Sequence, residues 1–215
     1  MSEPMITALI GAAVSFFVTL ITQITTVYIS EHKSKLEMQQ REYQSKRDNL
    51  SEVYKTLIST INLFPEASPN DILKYVEYAP NYSLERFDSI LRSLDYQIED
   101  CQVQLNNHNI NFERKSDIEV QISNKEYAKK EISRIRDEYY KARDEYKSFY
   151  ESDKVFLDLY AGQDVRNYLV KFEVVIHNVF ISGRSVGDVD DPTSNIIKIS
   201  RRELIDSMRK DIGIN

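Results

Sequence analysis

A chain of 215 residues has room for one modest domain beyond any membrane segment, which argues against two full domains. With 5 Gly and 5 Pro against 29% charged residues, it has a helix-rich composition and lacks the turn residues an all-β fold needs. A net charge of -6 argues against nucleic acid as the main partner, and the single cysteine, Cys101, excludes a secreted domain stapled by intramolecular disulfides.

The first element is the run from Met5 to Ile29, which carries no charge over 25 residues. As a helix it would extend about 37 Å, more than a hydrocarbon core of roughly 30 Å. It therefore predicts a tilted transmembrane helix with Tyr28 as an interfacial anchor. A signal peptide fits poorly, because the preceding MSEPM is acidic and Tyr28-Ile29-Ser30-Glu31-His32 offers no small-residue cleavage site. The basic flank Lys33, Lys35, Arg41, Lys46 and Arg47 comes after the run, whereas residues 1–4 carry no Lys or Arg. Basic residues resist translocation, so the expected topology has a short outside N-terminus and a cytoplasmic domain, in a cell inner membrane.

Within the run, Ala8, Ala12, Ser15, Thr19, Thr22 and Thr26 alternate at spacings of four and three and form one small, polar stripe. Such stripes let transmembrane helices approach closely, so this is the expected oligomerisation face. A second reading has Ser15, Thr19, Thr22, Gln23 and Thr26 lining a pore, against plain packing with hydroxyls bonded to their own backbone. The register continues beyond the run through Leu36, Tyr43, Leu50, Leu57 and Phe64, with Tyr54 and Ile61 on companion positions. No Pro or Gly interrupts residues 12–64, which predicts one helix from about Met5 to Phe64 whose part over 30–64 enters a coiled coil or bundle. Lys33, Gln40 and Arg47 on companion positions imply a splayed or wet stretch below the membrane.

Residues 65–215 are expected to form a cytoplasmic helical bundle, completing an all-α fold. A short helix over Asn70 to Tyr78, capped by Ser68 or Asn70, comes after Pro65. Leu84, Phe87, Leu91, Leu94, Ile98, Cys101 and Leu105 step by three and four and predict a helix to about Asn106. A long helix is expected over Phe112 to Tyr160, with Ile118, Ile122, Ile132, Ile135, Tyr139, Ala142, Tyr146, Phe149 and Phe156 inward and Gly162 as its C-terminal stop. Asp164 to Ile181 reads as the central core helix; Arg166, Lys171 and Glu173 make it a poor second span. Gly183 ends it, an acidic loop comes next, the short IIKI segment could be extended, and Ser200 with Glu203 forms a capping box for a last helix through Arg209.

Signs of catalysis are few. His32, His108 and His177 stand apart without a second His or Cys at metal spacing, and no cofactor motif is present. The Arg-to-His spacing of helical HEPN-type nucleases is missing, since Lys171, Phe172 and Glu173 occupy those positions before His177. Glu173 and His177 share a helix face and read as a satisfied buried pair. Asp188, Asp190 and Asp191 could gather a divalent ion but read better as a solvated turn, and Cys101 as core packing. The expectation is a non-enzymatic, membrane-anchored protein that forms homo-oligomers and presents its bundle to a cytoplasmic protein partner, with no cofactor or metal. The alternative is an oligomer that permeabilises the membrane in a bacterial antiviral or stress response, triggered through its cytoplasmic domain.

Overall fold

A computed structural model describes the backbone of residues 3–73, 76, 86–106 and 110–214, and side chains at Ser15 and from Val18 onward. Every regular element among these residues is a helix: α1 Glu3–Ile61, α2 Pro69–Leu73, α3 Phe87–Leu105, α4 Phe112–Ser152, α5 Lys154–Tyr160, α6 Gln163–Phe180 and α7 Ile196–Asp211. The all-α expectation holds. The chain divides into two compact units, Met1–Asn49 and Leu50–Asn215, so that α1 contributes to both.

In the first unit α1 is a single unbroken helix. Among the described residues no helix is long and apolar enough to cross a membrane. The side chains of residues 1–14, 16 and 17 lie outside that description, and 12 of the 25 residues of the predicted span 5–29 fall among them.

In the second unit the remainder of α1 packs into a bundle with α4, α5, α6 and α7. Leu50, Tyr54, Leu57, Ile61 and Phe64 are buried with Ile135, Tyr139, Phe149, Leu157, Val165, Phe172, Phe180, Ile197 and Leu204. Each fully buried aliphatic or aromatic side chain contributes about 1.5–3 kcal/mol, whereas exposed ion pairs such as Lys171–Glu203, 2.6 Å apart, contribute roughly 0–1 kcal/mol. Apolar burial therefore dominates. Phe64 anchors an aromatic cluster, its ring centroid 5.7 Å from Phe172, 6.1 Å from Tyr146 and 6.2 Å from Tyr139. A smaller core joins Leu73, Val76, Phe87, Ile90 and Leu94 to Ala128 and Ile132 of α4.

Several boundaries differ from the sequence reading for local reasons. α1 stops at Ile61, three residues before Phe64: its last turn tightens through Leu63 N–H to Thr60 O at 3.1 Å, and Pro65 disfavours helical Phe64. α2 begins at Pro69, whose missing N–H costs nothing at a first helical position, with Ser68 Oγ accepting from Asn70 N–H at 3.2 Å. The predicted end at Tyr78 and the start at Leu84 lie outside the described residues. On α3, Phe87, Ile90, Leu94 and Cys101 are buried, while Leu91, Ile98 and Leu105 are only half-buried.

The helix expected over Phe112 to Tyr160 is broken at Asp153. There Ser152 Oγ donates to Asp153 Oδ2 at 2.6 Å and to Phe149 O at 3.3 Å, and two side chains that compete with backbone hydrogen bonding separate α4 from α5. Gly162 is not a left-handed stop: at φ -62° it is the N-cap of α6, and a Cβ there would lie 2.4 Å from Asp211 Oδ1. It is glycine because α7 approaches closely. Asp211 Oδ2 accepts from Gly162 N–H at 3.1 Å and from the Tyr54 hydroxyl, tying three elements together. The IIKI segment is the first turn of α7 and not extended, since Asn195 Oδ1 accepts from the N–H groups of Ile197 and Lys198, both at 3.1 Å. Ser200 lies inside that helix and Glu203 pairs with Lys171, so the predicted capping box does not form.

Candidate functional site

The proposed assembly residues meet two fates along α1. Ala8 and Ala12 lie outside the described side chains. Ser15, Thr19, Thr22, Gln23 and Thr26 are exposed in the isolated chain, as are Val18, Leu20, Ile21, Ile24, Val27, Tyr28 and Ile29. The threonines are bonded locally: Thr19 Oγ1 donates to Ser15 O and Thr22 Oγ1 to Val18 O, both at 2.8 Å, and Thr26 Oγ1 to Thr22 O at 2.7 Å. The plain packing alternative supposes this geometry. It recurs further along α1, where Thr56 Oγ1 donates to Glu52 O and Thr60 Oγ1 to Thr56 O, so it is a habit of the helix rather than of the apolar run.

Along the expected coil, Leu36 is 52% and Tyr43 66% exposed, whereas Leu50, Tyr54, Leu57, Ile61 and Phe64 are buried in the chain's own bundle. Seven-residue register is common to both sets, but only the first leaves apolar surface for another molecule. The basic flank Lys33, Lys35, Arg41, Lys46 and Arg47 is exposed throughout.

A cleft of about 180 Å³ lies where the sequence placed Glu173 and His177. Tyr146 Oη donates to Glu173 Oε1 at 2.6 Å. Burial first, then that hydrogen bond and the Glu173 charge, push the Tyr146 phenol above its ordinary range. The phenol of Tyr139 is also raised by burial, opposed by the nearby Arg143 charge. Glu173 thus satisfies Tyr146 and not His177, which is exposed, so the pair expected from the sequence is replaced by a Tyr–Glu bond that the i, i+4 pattern could not show. The cleft is smaller than the roughly 300–1,000 Å³ of ordinary ligand sites.

The acidic loop is consumed by its own turns. Asp188 Oδ1 accepts from Asp190 N–H at 3.0 Å, and Asp191 Oδ1 from Thr193 N–H at 2.8 Å and Thr193 Oγ1 at 2.7 Å. The Thr193 bonds hold the Asp191 carboxyl below its ordinary value. Among the described residues no three His, Cys, Asp or Glu side chains converge as a metal requires. Cys101 is buried, its thiol 3.9 Å from Gln121 Oε1. His108 lies outside the described residues.

No family model, curated protein or solved structure matches the chain.

Proposed function

We propose that this chain is a non-enzymatic, single-pass membrane protein that self-associates through the first part of α1 and presents its Leu50–Asn215 bundle to a cytoplasmic protein partner. One observation carries the reading. The charge-free run from Met5 to Ile29 has five Lys and Arg residues within the next 18 positions and none before it, and its described apolar side chains, Tyr28 at 71% exposure among them, are uncovered in the isolated chain. A face of that length is stable only against lipid or another apolar surface. The small stripe of Ser15, Thr19, Thr22 and Thr26 supports close helix approach. Their hydroxyls, already bonded to the helix backbone, favour packing over a water-filled pore.

Alkaline extraction of membranes, then crosslinking in native bilayers, tests this. The protein is expected to stay in the pellet and to crosslink as a homo-oligomer, and replacing Ser15, Thr19 and Thr22 together with Leu is expected to remove the crosslink but not the membrane association. Release into the supernatant would overturn the anchor, and a monomer under all crosslinking conditions would overturn the assembly.

A further inference from the structure

α4 carries a heptad seam within the second unit: Ile118, Lys125, Ile132 and Tyr139 are seven apart, with Gln121, Ala128, Ile135 and Ala142 on the companion positions. Lys125 is 6% exposed, its side chain lining the groove between α3 and α4, and it makes no hydrogen bond or ion pair among the described residues. The facing seam of α3 changes character at the same level: Phe87, Ile90 and Leu94 give way to Gln97, Cys101 and Gln104. Between the two polar halves lies a groove of about 800 Å³, whose lining includes Arg92, Arg114 and Lys125. That volume lies within the ordinary range of small-molecule sites.

An aliphatic residue at 125 would continue the seam, whereas lysine lays its stem along the seam and carries its charge to the groove. The charge balance of the groove points outward from the chain. Three cations face one carboxylate, Asp100, and that carboxylate already accepts from Gln104 Nε2 at 2.8 Å. Arg114 reaches only Gln104 Oε1, at 3.5 Å, and Arg92 has no ion pair among the described residues. Guanidinium forks and a lysine point charge around amide donors are the groups that hold phosphate. Tyr96, 68% exposed at the rim, adds a ring on which a base could stack.

We propose that the α3–α4 groove binds a phosphate-bearing small molecule, with Lys125 at its floor and Arg92 and Arg114 at its sides. The proposal stands apart from the membrane reading, because it uses only residues of the second unit. Inorganic pyrophosphate and ADP, each titrated into the full-length chain at constant ionic strength, are the probes, read by thermal unfolding. A saturable rise in Tm with either is expected. Lys125→Met, which keeps a long stem in an apolar seam, is expected to leave the ligand-free Tm no lower than that of the parent chain and weaken the apparent Kd about tenfold or more. Gln121→Glu supplies an in-chain carboxylate one turn before Lys125, in the favourable orientation, and is expected to have the same two effects. Tighter binding of ADP than of pyrophosphate, lost in Tyr96→Ala, assigns the phosphate to a nucleotide; equal binding assigns it to free phosphates. No Tm rise with either probe would overturn the proposal, as would full retention of binding in both Lys125→Met and Gln121→Glu.

Discussion

Leu36 and Leu57 occupy the same heptad register on the same helix, and the structure treats them oppositely. Leu57 is completely buried among α4, α6 and α7 residues, whereas Leu36 has half its surface open. The switch falls at Leu50, where the first unit ends and the second begins. Periodicity states that a face is apolar and says nothing about which molecule will cover it. The distinction comes from the C-terminal helices: α4, α6 and α7 bring enough apolar surface to cover about three turns of α1, Leu50 to Ile61, and Phe64 just beyond its end.

The sharpest way to break this contrast is truncation at the two leucines. Leu57→Ala is expected to cost about 2–5 kcal/mol in urea unfolding, through lost transfer energy and a residual cavity. Leu36→Ala is expected to change the same transition by less than about 0.5 kcal/mol while weakening crosslinking. Equal losses would mean that both regions pack within one chain. Within the second unit, Gly162→Ala is expected to cost about 1–3 kcal/mol, because its Cβ would press on Asp211 and disturb the Tyr54 bond to that carboxylate. Asn195→Ala is expected to cost about 0.5–2 kcal/mol by thermal unfolding, and more than Ser200→Ala, which would reverse if the capping box at Ser200 governed α7.

The smallest effect is one of pH. Burial raises the Glu66 carboxyl, but hydrogen bonds from Arg201 at 2.6 Å and Lys198 outweigh it and leave the group below its ordinary 4.5. The unfolded chain then binds the proton more readily as pH falls. The stabilisation from this pair is present above pH 4.5 and lost as pH drops through the folded-state value. Chemical denaturation from pH 6 down to pH 3 should show a loss that Glu66→Gln removes; an unchanged pH slope in that variant would place the acid sensitivity elsewhere.

The helical class and most helix cores were legible in the sequence because apolar spacing of three and four survives any choice of partner. Local features were harder where two signals competed. Ser200 and Glu203 have capping-box spacing, but Asn195 stands earlier, at the end of an Asp-Pro-Thr-Ser-Asn run, and takes the helix start. Ser152-Asp153 offered two backbone competitors in succession inside a long helical run, and the break fell there. Of the groove, one trace was visible: the buried stripe of α4 has no apolar residue between Ile122 and Ile132 except Ala128, and Lys125 fills the vacant heptad position. The Tyr146–Glu173 bond left no trace, since 27 residues separate its partners.

The clamp on the segment after α1 has a consequence for synthesis. Arg201 donates to Phe64 O at 2.9 Å, Asn195 Nδ2 to Glu66 O at 2.8 Å, and Tyr54 to Asp211 across 157 residues. At about 5–20 residues per second, on the order of 10–30 s passes between translation of Tyr54 and of the helix that completes its surroundings. Through that interval the apolar residues from Leu50 to Phe64 await cover on a nascent chain. This is the period in which a chaperone, or a premature encounter with a neighbouring nascent chain, would find them open.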